Sequence, residues 1–278
     1  MNKPTLAMID GDLMAYKAAC SAASNEAKAA EIEETFDINA WLKYRLDFDV
    51  KQWTPEGCTD VTIAISCSRK DNYRRDFWPA YKAHRDGSAS PEHLGAAIQY
   101  LRDNYPTMER PRIEADDLMG MAMGAGYAIA VTLDKDLKTC PGWLWNPEKQ
   151  GFAELISEQD ADRAFHTQWL TGDSTDGIPG LHRLGAKGAQ KMLEATPPAQ
   201  WTQMVVQHYR DVAHDMVKWR KGTESFSGSR ADQLRIGYGW EHGINEDFIL
   251  AQANCVRILR KDQWDKVSET PILWSYEG

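Results

Sequence analysis

The chain has 278 residues, of which 42% are hydrophobic and 26% charged, and its net charge is −9. This composition is typical of folded globular proteins and excludes collagen-like, disordered and disulfide-scaffold chains. The acidic balance argues against a basic coat protein of nucleic acids, although binding depends on local patches of charge. No apolar run approaches the roughly 18 residues of a membrane span, and the first residues are unlike a signal peptide. We therefore expect a cytosolic protein with no membrane partner.

Strands and helices alternate along the first part of the chain. Short apolar runs predict strands at Thr5–Ile9, Val61–Ser66 and Tyr127–Leu133. Helices are predicted over about Leu13–Asp47, Glu92–Asn104 and Glu114–Met123, with a partly helical excursion over 69–92. A small hairpin is predicted from Trp143–Trp145 and Phe152–Ile156, and the pattern after Ser157 is helical almost to the end. This order predicts a mostly parallel α/β domain over 1–165 and a helical domain over 166–278.

Four clusters of carboxylates follow predicted strands or open predicted helices. They are Asp10 with Asp12, Glu114 with Asp116 and Asp117, Asp134 with Asp136, and Asp173 with Asp176. Ligands of open parallel sheets bind beyond the carboxyl ends of the strands, so these clusters could converge there. Crowded carboxylates repel one another, and an oxygen-only set suits Mg²⁺ or Mn²⁺ rather than Zn²⁺. Two such ions could clamp a phosphodiester and generate hydroxide from water. Taken singly, each cluster also fits a turn, a solvated loop or a helix cap.

Basic residues concentrate between Arg69 and Arg85, where six of them accompany two acids. Arg74 and Arg75 alternate here with aromatic residues that include Tyr81. Basic side chains bind phosphates and aromatic rings stack on unpaired bases, so we predict DNA contacts from these residues. An amphipathic helix with a solvated basic face fits the same pattern.

A second basic stretch, 180–191, is rich in glycine. Gly185, Lys187 and Gly188 precede a helical run, where backbone N–H groups bind phosphate without reading sequence. The lysine is followed by glycine rather than serine or threonine, so no nucleotide P-loop is indicated. An ordinary glycine-capped helix turn is the alternative.

Five segments in this order resemble the 5′-nuclease (flap endonuclease) superfamily. Within it, IDGD, STDG and, more weakly, the ending AQANCVRILRKDQW…LW resemble the replicative 5′→3′ exonucleases of T-odd phages. The segments are MIDGD, RRDFWPAYKAHR, IEADDLMG, TLDKDL and TGDSTDGIPGLHRLGAKGA, and the resemblance covers about residues 6–195. It implies a Rossmann-like (PIN-like) domain with a helical arch, then a helical domain with a helix–three-turn–helix module that grips duplex DNA.

The resemblance also implies roles for individual residues. Lys82 and Arg85 would steady the scissile phosphate as catalytic residues. Gly185, Lys187 and Gly188 would belong to the duplex-gripping module, which holds K⁺ in relatives. The implied metal ligands fall into two sets, Asp10, Glu114, Asp116 and Asp117 for the first ion, and Asp134, Asp136, Asp173 and Asp176 for the second.

The implied activity is that of a monomeric, metal-dependent 5′→3′ exodeoxyribonuclease, with or without flap endonuclease activity. It would use two Mg²⁺ ions, for which Mn²⁺ can substitute. Its substrate would be duplex DNA with a 5′ end, nick or flap, and its setting phage replication in the cytoplasm of an infected bacterium.

Two positions depart from the family pattern. Cys67 stands near the place where the family usually has an aspartate, and Asp12 could compensate for it. Gly177 replaces an asparagine that is frequent in polymerase-linked relatives. A DNA-binding homologue without catalysis therefore stays an alternative. A haloacid-dehalogenase-like phosphatase with Asp10 as nucleophile is another, although it explains neither IEADD nor the basic stretches.

Overall fold

A computed structural model describes residues 2–149, 151–181, 184–220 and 245–276. The chain divides into two compact, discontinuous units. The first unit comprises Met1–Asn72, Ser88–Ser157 and Leu259–Pro271, and the second comprises Tyr73–Gly87, Glu158–Ile258 and Ile272–Gly278. The predicted boundary between 165 and 166 stays a prediction. Among the described residues, no helix is both long and apolar enough to cross a lipid bilayer.

The described elements fall into strands and helices as follows. The strands are β1 (Leu6–Asp10), β2 (Asp60–Ala64), β3 (Thr107–Met108), β4 (Ile129–Val131), β5 (Gly142–Trp145), β6 (Glu154–Ile156), β7 (Trp264–Asp265) and β8 (Thr270–Pro271). The helices are α1 (Gly11–Glu31), α2 (Ile38–Gln52), α3 (Arg74–Phe77), α4 (Leu94–Asn104), α5 (Ala115–Gly124), α6 (Glu158–Thr171), α7 (Ala186–Glu194), α8 (Trp201–Arg220) and α9 (Glu246–Val256).

The first unit contains a six-stranded sheet in the order β3-β2-β1-β4-β5-β6. All neighbours are parallel except β5 and β6, so the predicted parallel sheet and the small hairpin are confirmed. The central strands are apolar because α-helices cover both faces of such sheets. Ile9 of β1 pairs with Ile63 and with Val131, which aligns the carboxyl ends of β1, β2 and β4.

The helical stretch predicted between Leu13 and Asp47 is confirmed, and it consists of two helices, α1 and α2. Residues 32–37 separate them, and the Asp37 carboxylate accepts the Ala40 N–H at 3.0 Å. This bond caps α2 at its start. Strand β3 was missed because a two-residue strand carries no periodic signal.

The second unit is helical and has an aromatic core. Phe165 and Trp169 of α6 pack with Trp201 and Tyr209 of α8, and all four are almost completely buried. The polar groups of two of these rings are hydrogen-bonded. The Tyr209 hydroxyl donates to the Trp169 carbonyl oxygen at 2.6 Å, and the Trp169 indole N–H donates to the Ile249 carbonyl oxygen at 3.2 Å. Such rings bury a large apolar area and account for much of the stability of a helical unit.

The basic stretch of the second unit is not one continuous helix. It forms the four-residue helix α3 and a 3-10 turn at Ala83–Arg85, and another 3-10 turn, Arg69–Asp71, precedes it in the first unit. Pro79 restricts the backbone of Trp78 and prevents helix α3 from continuing. The alternative of one amphipathic helix over this stretch is therefore wrong, and the helical arch implied by the resemblance stays a prediction.

Candidate active site

Asp10 lies at the carboxyl end of β1 and also starts α1. Its Oδ1 accepts the Leu13 N–H at 3.0 Å, and its Oδ2 accepts the Thr132 hydroxyl at 2.8 Å. Thr132 directly follows β4, the neighbour of β1 in the sheet. These bonds fix the carboxylate at the edge where the sequence predicts it.

Gly11 explains why this strand can turn directly into a helix. A Cβ atom there would lie 2.4 Å from Cγ2 of Ile63 and 2.7 Å from the Ala64 carbonyl oxygen. The first turn of α1 therefore touches β2, and only glycine allows that approach.

The carboxylates of Asp12 and Asp134 lie close enough to Asp10 to act on its charge. Burial, then the charge of Asp12 and, to a smaller extent, the charge of Asp134 raise the pKa of Asp10 to about 6. A buried carboxylate that faces two like charges favours its protonated form or a bound cation. The structure thus brings Asp10 and Asp134 together, as the sequence predicts, and adds Asp12.

Asp12 is held beside the carboxyl end of β2. The Ser66 N–H donates to both of its oxygens, at 3.2 and 3.3 Å. The Cys67 thiol donates to the Ser68 carbonyl oxygen at 3.3 Å and is a poor ligand for hard cations. Near this strand end, Asp12 therefore offers carboxylate oxygens, whereas Cys67 offers a thiol.

The acids that open α5 differ in their surroundings. Asp117 is fully buried; its Oδ2 accepts the Glu114 N–H at 3.2 Å and its Oδ1 accepts the Leu259 N–H at 3.0 Å. Asp117 therefore fastens α5 to Leu259, the first residue of the Leu259–Pro271 segment of the first unit. The sequence does not reveal this role. Asp116 is half-buried, and the Ala115 N–H donates to the Ser66 hydroxyl oxygen at 2.9 Å, which places this helix start beside the end of β2.

Asp134 and Asp136 form a tight turn after β4. The Asp136 N–H donates to Oδ1 of Asp134 at 2.8 Å, and the Asp134 N–H donates to the Thr132 hydroxyl oxygen at 3.0 Å. Asp134 is exposed and Asp136 is half-buried. This turn keeps the Asp134 carboxylate beside Asp10.

In the second unit, Asp176 is an ion-pair partner of both predicted catalytic cations. Its Oδ2 lies 3.5 Å from Nζ of Lys82, and its Oδ1 accepts Nη2 of Arg85 at 3.1 Å. Asp173 closes the same loop, since it exchanges backbone hydrogen bonds with Ile178 at 2.7 and 2.8 Å. The structure therefore brings Lys82, Arg85 and Asp176 together within this unit.

Two of the predicted DNA contacts are wrong. Arg74 is 2% exposed, and its Nη2 donates to the Arg257 carbonyl oxygen at 2.9 Å. Tyr81 is 3% exposed, and its ring lies beneath the Lys82 ammonium at 5.0 Å. Both side chains support the basic segment from inside, so neither can reach a phosphate or stack on a base. The Arg75 guanidinium donates two hydrogen bonds to the Asp86 carboxylate, from Nη2 at 2.8 Å and from Nη1 at 2.9 Å. This ion pair neutralises much of the Arg75 charge.

The predicted duplex-gripping residues lie at the start of α7. Gly185 is its N-cap, Lys187 is exposed in the first turn, and a Cβ on Gly188 would lie 2.6 Å from Cδ1 of Leu184. Residues 182 and 183 of this basic stretch lie outside the described residues. The exposed helix start fits a phosphate-binding role.

Among the described residues, His93 belongs to a group of potential metal ligands that spacing along the sequence did not indicate. His93, Glu26 and Glu92 each offer a ligand atom within 4.8 Å of the others, and Nε2 of His93 lies 2.8 Å from Oε2 of Glu26. Glu26 is 67 residues away along the chain, so no local spacing could indicate this contact.

Comparison with known proteins gives similarity over nearly the whole chain. No family model matches. An exodeoxyribonuclease of Enterobacteria phage T3 is 24% identical, and an exonuclease of Escherichia phage T7 is 25% identical; each alignment covers 96% of this chain and 92% of the relative. Among solved structures, a T5 protein co-crystallised with metal ions has a TM-score of 0.50 at 13% identity, covering 90% of this chain and 88% of that one. The catalytic core of Rad2 in complex with DNA substrate has a TM-score of 0.50 at 11% identity, covering 98% and 83%. The structural likenesses show a common fold.

Proposed function

Because the chain is a member of the 5′-nuclease (flap endonuclease) superfamily, close to the phage exonucleases, we infer that it is a 5′→3′ exonuclease that depends on divalent metal ions and acts on DNA. The observation that carries this function is the buried Asp10 carboxylate, whose pKa is raised to about 6 beside Asp12 and Asp134. Carboxylates that repel one another at a sheet edge lower the stability of the folded protein. Such a loss of stability is typical of functional sites.

The donors of the first unit fit a hard divalent cation. The carboxylates around Asp10 offer oxygen alone, which suits Mg²⁺, with Mn²⁺ as a substitute. In the first unit we propose as metal ligands Asp12 and the carboxylates that the family resemblance implies, which are Asp10, Glu114, Asp116, Asp117, Asp134 and Asp136. Asp173 and Asp176 belong to the second unit, and their role as ligands stays a prediction from the resemblance. When bound, two such ions supply an activated water and stabilise negative charge on the phosphate and the leaving oxygen.

The cations of the second unit would act on the phosphate directly. Lys82 and Arg85 would bind the scissile phosphate, orient it and stabilise its growing charge in the transition state. The start of α7, with Gly185, Lys187 and Gly188, would hold the duplex backbone without reading sequence. K⁺ at this module stays a proposal that rests on the family resemblance.

The proposal also covers the DNA substrate, the products and the biological process in which the enzyme acts. We expect a monomer that acts on duplex DNA with a free 5′ end, a nick or a flap, and releases 5′-phosphorylated mononucleotides or short oligonucleotides. Since two relatives belong to phages, the proposed setting is phage replication in the cytoplasm of an infected bacterium.

The decisive experiment compares linear duplex DNA labelled at the 5′ end with the same duplex labelled at the 3′ end. With Mg²⁺, the 5′ label should appear at once in mononucleotides or short products, while the 3′ label stays in long strands that shorten gradually. EDTA and the Asp10→Asn variant serve as matched controls and should abolish both changes. Early loss of the 3′ label would contradict the polarity.

The same assay separates the two alternatives. Tight DNA binding without cleavage in Mg²⁺ or Mn²⁺ would identify a homologue without catalysis. Release of inorganic phosphate from small phosphate monoesters, with no cleavage of DNA, would identify a phosphatase.

A further inference from the structure

Two loops of the second unit interlock around the backbone of Lys82. This residue has a φ of 51°, in the left-handed region, which non-glycine residues occupy only where the surroundings hold them. Its N–H donates to the Asp176 carbonyl oxygen at 2.9 Å. The loop that carries Asp176 therefore holds the unusual backbone conformation at Lys82.

The side chains repeat the backbone contact. The Asp176 carboxylate faces Nζ of Lys82 at 3.5 Å and Nη2 of Arg85 at 3.1 Å, and the same Nη2 donates to the Thr175 carbonyl oxygen at 3.0 Å. Lys82 also lies over the buried Tyr81 ring at 5.0 Å. The positions of both cations thus depend on residues 175 and 176.

Gly177 allows the two loops to approach this closely. Its φ is 75°, and a Cβ there would lie 2.7 Å from the Ala80 carbonyl oxygen. The Trp78 indole N–H donates to the Gly177 carbonyl oxygen at 3.0 Å and fastens the loop from the other side. A side chain at position 177 would have to push the loop away from the segment that carries Lys82.

We propose that Asp176 and Gly177 are positioning residues, which set the placement of Lys82 and Arg85 for the chemical step. This inference rests on the proposed function, in which these two cations bind the scissile phosphate. A lysine side chain is flexible, so its contribution to the transition state depends on a backbone that is already in place. The loop with Asp176 supplies that backbone whether or not its carboxylate also binds a metal ion.

The first test is Gly177→Ala, which disturbs the interlock without removing a charge. Its control is Gly57→Ala in the first unit, where φ is also positive, at 87°, but no atom lies within 4 Å of the added Cβ. Single-turnover cleavage at saturating DNA and Mg²⁺ should fall about ten- to a hundredfold in Gly177→Ala, since misplacement by about 1 Å has effects of that size. DNA affinity in EDTA and the Mg²⁺ concentration for half-maximal rate should change less than about twofold, and Gly57→Ala should cleave at the wild-type rate. A Gly177→Ala rate equal to that of wild type would overturn the proposal.

The second test asks whether Gly177 acts through Lys82 and Arg85. The triple variant Lys82→Ala/Arg85→Ala/Gly177→Ala should cleave no more slowly than Lys82→Ala/Arg85→Ala, because the positions of absent cations no longer matter. Losses that multiply would overturn the positioning role while the proposed function survives. A wild-type rate in Lys82→Ala alone would instead remove the proposed role of that lysine, and the inference with it.

A milder change covers the case in which Gly177→Ala does not fold. Trp78→Phe keeps an aromatic ring but removes the indole N–H that fastens the loop to the Gly177 carbonyl oxygen, together with part of the ring that packs against Phe248. It should slow cleavage severalfold, with unchanged DNA affinity, and this loss should also disappear in the Lys82→Ala/Arg85→Ala background. Persistence of the loss in that background would refute the proposed linkage.

Discussion

Replacing Asp10 by asparagine should make the metal-free protein more stable near neutral pH, although it removes a proposed metal ligand. Burial, and next the charge of Asp12, raise the pKa of Asp10 from 3.8 to about 6. The charged carboxylate is therefore disfavoured in the folded state. At about 1.4 kcal/mol for each pKa unit, this costs about 3 kcal/mol when Asp10 is fully ionised.

The asparagine keeps part of the local hydrogen bonding. Its oxygen can accept the Leu13 N–H as Oδ1 of Asp10 does, but its amide cannot accept the Thr132 hydroxyl. Losing that bond costs about 1 kcal/mol, so the expected net gain is about 2 kcal/mol.

The stability gain in Asp10→Asn should depend on pH in a characteristic way. A raised carboxyl pKa in the folded state contributes stability below the unfolded value of 3.8, and this stability is lost as the pH rises through about 6. Asp10→Asn should therefore show no gain near pH 4.5 and its full gain above pH 7, measured by urea unfolding in EDTA. Added Mg²⁺ at neutral pH should stabilise wild type more than the variant, because a bound cation offsets the repulsion.

Asp265→Asn is the control with the opposite sign. Hydrogen bonds from the backbone of Val267 and from Ser268 lower the pKa of Asp265, so its contribution to stability is present at neutral pH and fades as the pH falls. This variant should be less stable than wild type at neutral pH. A loss of stability in Asp10→Asn that is the same at every pH would refute the reasoning about its buried charge.

Three further predictions concern DNA. Asp134→Ala and Asp173→Ala should each lose most cleavage but still bind branched DNA in a gel-shift assay, and an equal loss of affinity and rate would contradict separate metal and DNA roles. Lys187→Ala should weaken binding to all sequences alike and reduce the salt dependence of the affinity by about one phosphate contact, whereas an unchanged slope or a sequence-selective effect would remove its duplex role. Lys82→Ala should slow single-turnover cleavage roughly a hundredfold or more, while Arg69→Ala, which removes one charge from the same basic stretch, should have little effect. If both slowed cleavage equally and added salt mimicked the loss, the stretch would act only by attracting DNA.

The sequence by itself located three central strands, with carboxyl ends within two residues of those observed, and the acids beside those ends. Apolar runs that stop at Asp10 and before Asp134 predict parallel strands with carboxylates at one edge, because strand burial and turn chemistry are local properties. The glycine between Asp10 and Asp12 belongs to the same local signal, since the helix must start against β2. The nuclease motifs are likewise read from consecutive residues.

Only the tertiary structure decided which charges are buried and which of them meet. Arg74 and Tyr81 look like DNA contacts in a basic aromatic stretch, but packing encloses both. Arg85 meets Asp176 across 91 positions of the chain, and Asp117 meets the Leu259 N–H across 142. Hydrophobic periodicity reports one element at a time, whereas an ion pair or a buried carboxylate depends on elements that are distant in sequence and packed together. That is why local patterns located the acids, while the fold determined that Asp134 lies beside Asp10 and that Asp176 holds the backbone of Lys82.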